Sequence, residues 1–395
     1  MRNIILACFL TITIIRFLFI PSVPIVNYDF QTLIVPVLKK PQFHNNSFSN
    51  YLKITKEERK HLVLDMEIPF SFKINEDNIN RYLYSTNNYS EEIIKQSDKD
   101  FPSLLKNQAS IVMKYDAYTA RMCGMYSTDT IYWRPKSCYK SYIHNGSVIG
   151  RYDIVISICH YWEHMYGHIY LDFMSVVLLI PEQIRSKAYI VLPNSLEITK
   201  QIIELLGIPK ERQIEIKNSD FIHANVLYSV LPGFCIDSVG ELSLIVRSHL
   251  FRHFDLTSVK CNRYILYNRD KKPRIVKNFP ELFELAKKTY PKYPWEKNIE
   301  QRNLKDSALY YASVKFMWTI SGSVLGNIVF FQPYSIICEV TMRQSNLVFL
   351  SVSSLYKIHH VIYHMPNLGH FDRADIVINA TEFTQLMDKG VSLLN

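Results

Sequence analysis

Short apolar runs alternate with helix-spaced stretches from Tyr152 to the end of the chain. Asp153 to Ile158, rich in Ile and Val, reads as a strand. Gly167 to Leu179 carries apolar residues at helical spacing. Ala188 to Leu192 is a short buried strand. Asn194 or Ser195 then caps a helix that runs to Leu206 and stops at Gly207. Ile214 to Ile216 and Val226 to Leu231 are strands, and Asp237 to Phe254 is a long helix. The rhythm then repeats. Arg263 to Tyr267 is a strand, Pro280 to Tyr290 and Leu304 to Tyr311 are helices, and Phe316 to Ile320 is a buried strand. A small-residue turn, Ser321-Gly322-Ser323, leads into a helix start at Leu325. Strands follow at Ser335 to Val340, Ile358 to Tyr363 and Asp375 to Ile378, and Thr381 caps a last helix. Strands separated by helices of this length predict parallel sheets covered on both faces. Two such halves, joined near His253 to Cys261, predict an α/β protein with domains at 109–257 and 258–395.

Upstream the pattern is weaker. Residues 27–108 are mixed and polar, with a charge cluster at Lys56-Glu57-Glu58-Arg59-Lys60, and read as a stem and the start of the body. Asn3 to Ile20 is almost unbroken apolar sequence, about the length a span needs when Arg16 snorkels and Val23 to Val26 contribute. Residues 1–26 are therefore expected to form a cytosolic tip and a signal anchor. The alternative is a cleaved signal peptide, to which Ser22-Val23-Pro24 offers a poor cleavage site. Arg2 precedes the run and no Lys or Arg follows it until Lys39, which orients the body to the lumen. The expected location is the Golgi or endoplasmic reticulum membrane, single-pass type II.

Composition refines this picture in two places. The net charge is +9, but the basic residues are scattered, without a dense run interleaved with aromatics, so no nucleic-acid partner is expected. Asn45, Asn88, Asn145 and Asn379 begin Asn-x-Ser/Thr sequons, which fit a lumenal body. Beyond Cys8 there are six cysteines. Cys123 and Cys138 are the first pair to test for a bridge, while Cys338 in an apolar strand reads as a buried free thiol. No spacing suits zinc, and no metal is expected.

Three constellations carry candidate chemistry. His168 and Asp172 lie four apart on a helix and form a candidate base pair; the competing reading is an aromatic packing surface. His160, Glu163 and His164 just upstream lack a further ligand. Arg269, Lys271, Lys272 and Arg274 occupy a strand-end loop before Asn278 at a helix N-cap, a placement suited to phosphate oxygens. The turn Ser321, Gly322, Ser323 offers hydroxyls and backbone N–H groups, with Asn327 on the following helix and Glu339 on the next strand, where it suits a ribose diol. Asp98-Lys99-Asp100 is a D-x-D in a polar stretch and reads as a charged loop.

Over Tyr152 to Val340 these motifs, in this order, resemble the glycosyltransferase 61 family of secretory-pathway xylosyl-, arabinosyl- and O-GlcNAc transferases. The match is carried by Gly167-His168 with Asp172, by Tyr264-Ile265 with Arg269, Arg274 and Asn278, and by Ser321 to Asn327 with Pro333 and Glu339. The resemblance implies a GT-B-like fold of two Rossmann-like domains facing a cleft, with an N-terminal anchor and stem. It also implies inverting, metal-independent transfer from a nucleotide-sugar co-substrate, expected to be a UDP-sugar, to a glycan or glycoprotein acceptor. His168 and Asp172 would be catalytic. Arg269, Arg274, Asn278, Ser321, Gly322, Ser323, Asn327 and Glu339 would bind the donor. Ser321 stands where the family has His, and Val324 where it has a second Gly. An alternative is therefore a catalytically impaired descendant that acts as a glycan-binding or scaffold protein.

Overall fold

The computed structural model describes residues 48–395 apart from 58–64, 74–79, 105, 122–123, 134–142, 159–164, 218, 233–239, 270–273, 302, 343–346, 366–374 and 395. The proposed anchor, Asn45, and Cys123, Cys138, Cys159 and Cys235 lie outside the described residues. Among the described residues, no helix is long and apolar enough to cross a membrane. The described residues fall within one contact unit, Val35–Asn395.

The fold is α/β with two sheets. A six-stranded sheet, parallel throughout, has Arg263–Leu266, Val314–Ile320, Ile336–Met342 and His359–Met365 as its central neighbours. Trp295–Lys297 forms one edge and Leu83–Ser85 the other. Both faces of these strands are buried, which is why they read as continuous apolar runs such as Phe316 to Ile320. One face packs against the helices Phe279–Thr289 and Ala380–Ser392 through Phe316, Trp318, Cys338 and Val340. Cys338 is a free, buried thiol, as its apolar strand suggested.

The other sheet has ten strands and is mixed, so the expectation of an all-parallel first half needs correction. Asn145–Ser157 pairs in parallel with both Tyr189–Val191 and Asp220–Pro232. The long strand Lys106–Ala120 adds antiparallel to Asp220–Pro232 and pairs antiparallel with Met66–Lys73 upstream and Met125–Tyr126 downstream. Three further expectations are corrected. Asp98 and Asp100 lie on a helix, Asn88–Leu104, where Arg81 Nε donates to Asp98 Oδ1 at 2.8 Å. Within 27–108, read as a stem and the start of the body, residues 51–57 and 83–104 supply strands to both sheets and that helix. Asp375 to Ile378 makes only an isolated bridge, Val276 to Ile376. The last helix is capped by Asn379, whose Oδ1 accepts from the Thr381 N–H at 2.8 Å. Asn88, Asn145 and Asn379 are all exposed.

Between the sheets' helices sits His249, on the helix Glu241–Phe254. Burial, and then the charges of Arg185, His253 and Arg252, hold its imidazole down at about 4, from an ordinary 6.5. The unfolded chain thus takes up this proton at a higher pH than the folded one. Stability from His249 is complete above pH 6.5 and falls as the pH drops towards 4, by about 3 kcal/mol in all. Burial lowers His223, His359 and His364 as well, in the same sense. Melting temperatures recorded from pH 7 to pH 4 should fall, and His249→Leu should flatten the decline. An unchanged slope in that variant would refute the assignment to His249.

Candidate functional site

The strand Val314–Ile320 ends at Ser321, whose N–H donates to Val340 O at 3.0 Å. The chain turns there into a 3-10 helix, Ser323–Phe330. Gly322 at the turn is extended (φ 164°, ψ −175°), so space rather than conformation requires glycine. A Cβ at this position would stand 3.0 Å from Nη1 of Arg269 and 3.9 Å from Nη2 of Arg274. Both predicted arginines therefore converge on the predicted turn.

Asn268 explains how they get there. Its Oδ1 accepts from the N–H of Arg269 and of Val276, both at 2.9 Å, and its Nδ2 donates to Val276 O at 3.1 Å. One side chain thus closes both ends of the basic loop. Arg274 takes a left-handed backbone (φ 68°) inside it and donates from Nη1 to Ser321 O at 2.9 Å. Burial, and then the charge of Arg269, push the Arg274 guanidinium below its ordinary range, while Glu339 opposes the shift. Two crowded cations lose free energy that a bound anion would restore. The first N–H groups of the Ser323–Phe330 helix add a partial positive charge at the same place.

A cavity of about 380 Å³ opens beside the turn, lined by Tyr166, Tyr267, Arg269, Asn298, Tyr311 and Ser323 among others. It lies past the carboxyl ends of Arg263–Leu266, Trp295–Lys297 and Val314–Ile320, where parallel α/β sheets bind ligands. The His168 segment packs on the same turn and contributes Tyr166 to the cavity wall. Tyr166–His168 is a 3-10 turn, followed by a π-helix, Ile169–Met174. A Cβ on Gly326 would come within 2.8 Å of Gly167 Cα, so two glycines let these backbones touch. Tyr166 donates its hydroxyl hydrogen to Asn327 Oδ1 at 2.6 Å, and Asn327 Nδ2 donates to Val324 O at 3.0 Å. Asn327 thereby ties the two segments together at the cavity wall.

His168 Nδ1 lies 2.5 Å from Asp172 Oδ2. The carboxylate is buried, while the imidazole keeps 18% of its side chain exposed, so the pair has an inner and an outer member. The other predicted residues stand elsewhere. Asn278 spends its amide on Ile378, donating to the carbonyl at 2.7 Å and accepting from the N–H at 3.1 Å. Glu339 lies inside its strand, 3% exposed, with Oε2 at 2.8 Å from His360 Nε2. His160, Glu163, His164, Lys271 and Lys272 lie outside the described residues. Sequence reasoning missed Tyr166, Asn268, Tyr311 and His360. Only Asn268, directly after a strand and before a basic turn, carried a local signal. Among the described residues, no group of three or more His, Cys, Asp or Glu is placed to hold a metal ion.

The family model described as Glycosyltransferase 61 matches residues 166–338. That span begins at Tyr166 and includes the His168 pair, the arginine loop, the 321–323 turn and all the residues that line the cavity, but stops one residue short of Glu339. No curated protein matches the chain.

Proposed function

We propose that this chain, a glycosyltransferase 61 protein by its residues 166–338, moves a sugar from a nucleotide-sugar donor to a hydroxyl of a glycan or glycoprotein. The observation that carries the reading is the convergence of Arg269 and Arg274 on Gly322 beside the cavity. A donor diphosphate placed there meets two guanidinium forks and a helix N-terminus. These supply the positive charge that a divalent cation supplies in other sugar transferases, so the reading is metal-independent. A UDP-sugar is the expected donor. His168 would take the proton of the acceptor hydroxyl, with Asp172 orienting its ring. The acceptor oxygen would form its bond to the anomeric carbon while the bond to the β-phosphate oxygen breaks, inverting the centre in one displacement. The arginines would hold the charge that develops on the leaving diphosphate.

The architecture that goes with this reading is GT-B-like. Two Rossmann-like domains, 109–257 and 258–395, would face a cleft, behind an anchor at 1–26 and a stem, with the body in the Golgi or endoplasmic reticulum lumen. The parallel six-stranded sheet and the cavity at its strand ends support it. Titration calorimetry with UDP should show binding, and Arg269→Met should weaken it by about ten- to a hundredfold, the loss of one charge-assisted contact of about 1.5–3 kcal/mol. A lumenal body that binds no nucleoside diphosphate would sink the proposal.

Ser321 supports a second reading, an impaired relative that binds glycans or acts as a scaffold. The residue is 2% exposed and its carbonyl is already occupied by Arg274. A neutral hydroxyl there brings no charge to a leaving group. Donor hydrolysis that disappears in Arg274→Ala would exclude this alternative.

A further inference from the structure

Glu339 presents a problem that its motif does not resolve. A carboxylate that holds a ribose diol must reach it, yet Glu339 is 3% exposed and the cavity lining named above comes from other residues. Its Oε2 is committed to His360, which is itself fully buried. His360 Nδ1 in turn lies 2.8 Å from Ser353 Oγ, on the helix Leu347–Leu355 that covers this face of the sheet. Ser353 spends its one hydroxyl hydrogen on Phe349 O at 2.7 Å, so its oxygen accepts from His360 Nδ1–H, and a hydrogen is shared between Nε2 and the Glu339 carboxylate.

The strand register places this chain of contacts next to the arginine turn. Glu339 pairs with Thr319, and Val340 with Ile320. Ser321 then donates its N–H to Val340 O and accepts from Arg274 Nη1. The buried acid is thus two residues along the sheet from the point where Arg274 docks. Arg269 crowds Arg274 with like charge at Gly322. A buried carboxylate needs a cation or donors around it, and a crowded guanidinium needs an anion.

We propose that Glu339 is the buried counter-charge that holds Arg274 at the diphosphate turn, not a ligand of the donor's ribose, and that His360 is the positioning residue that fixes Glu339 there. The attraction of Glu339 for the Arg274 cation agrees with this role. The inference rests on the proposed nucleotide-sugar site for its functional reach, while the placement of Glu339 two residues along the sheet from the Arg274 contact belongs to the fold itself.

The probes are UDP, uridine and inorganic pyrophosphate, titrated into the wild type, Glu339→Gln, His360→Leu and His360→Gln. Glu339→Gln is expected to weaken UDP and pyrophosphate alike, by about tenfold, and to leave uridine unchanged. His360→Leu should do the same, and His360→Gln, which keeps a donor towards Glu339, should recover most of the loss. A Glu339→Gln variant that weakens uridine as much as UDP and leaves pyrophosphate unchanged would restore the ribose role and overturn the proposal. A wild type that binds neither UDP nor pyrophosphate would defeat the donor-site reading instead. In that event a double-mutant cycle in thermal unfolding, Glu339→Gln against Arg274→Met, decides the inference separately: clear non-additivity sustains it, and additive effects overturn it.

Discussion

Replacing His168 by alanine is expected to slow sugar transfer by about 10²–10⁴-fold while leaving UDP affinity unchanged. The split follows from where the side chain sits. Arg269 and Arg274 converge on Gly322, on the side of the cavity formed by the 321–323 turn. His168 belongs to the Tyr166–His168 turn, whose Gly167 packs on Ser323; its imidazole is partly exposed and lies outside the cavity lining, away from the two guanidinium groups. A base acting on the acceptor contributes to the transition state and not to holding the diphosphate. Asp172 makes the prediction sharper. Its buried carboxylate accepts from Nδ1–H, which puts the ring's lone pair, and so its basic site, on Nε2. Asp172→Asn preserves the shape but offers an N–H to Nδ1, which moves the ring hydrogen to Nε2 and removes the base. The variant should therefore lose transfer almost as fully as His168→Ala, without unfolding. Assays of donor hydrolysis serve where the acceptor is unknown. Full activity in His168→Ala would remove the residue from the mechanism.

The elements that sequence pattern revealed are those whose burial is uniform. Phe316 to Ile320 and Ser335 to Val340 are apolar because helices cover both faces of the sheet, and their limits came out within two residues. The arginine loop was legible because a strand end followed by Arg at two close positions is a local feature. The helix Asn88–Leu104 was not, because it is polar, carries Pro102, and gains its stability from packing against Leu347–Leu355 and the edge strand Leu83–Ser85. Leu347–Leu355 itself carries little periodicity, being apolar all round with serines that bond back to carbonyls, as Ser353 does to Phe349 O. At the site, what stayed hidden is what the fold brings from afar. His360 on Glu339 and Tyr166 on Asn327 join residues 21 and 161 positions apart. A single sequence shows a carboxylate at Glu339 but not the imidazole that has already taken one of its oxygens.

Arg247→Met is expected to destabilise the protein by about 3 kcal/mol, although Arg247 touches no part of the cavity named above. The side chain is 1% exposed on the helix Glu241–Phe254. Its Nη1 donates to Val329 O at 3.0 Å and, less closely, to Ile328 O at 3.4 Å; its Nη2 donates to Phe331 O at 2.5 Å. These are two carbonyls of the last turn of the Ser323–Phe330 helix and that of Phe331 just after it; the helix's first N–H groups point towards the arginine turn. The rings of Phe251 and Tyr356 sandwich the guanidinium at 4.2 and 4.5 Å. Two effects compete. Burial pushes the Arg247 group down to about 10, so its charge is costly in this setting. Removing it relieves that cost but takes the donor from the Val329 and Phe331 carbonyls, at about 1–3 kcal/mol each, and forfeits both ring contacts, while Ile328 O keeps the Phe331 N–H. The carbonyl loss is the larger. Methionine fills the stem's volume, so a lower melting temperature would report the lost donors and not a cavity. Arg247→Lys should recover only part of the stability, because one ammonium cannot match a planar fork across carbonyls at three positions. UDP affinity should weaken in parallel in Arg247→Met, since the helix end beside Gly322 loses its anchor at the far end. A methionine variant as stable as the wild type would mean that the buried charge costs as much as its carbonyl bonds return, and the 323–330 helix would then owe its placement to its other neighbours, among them Tyr166, Gly167 and the helices Leu304–Ala312 and Leu347–Leu355.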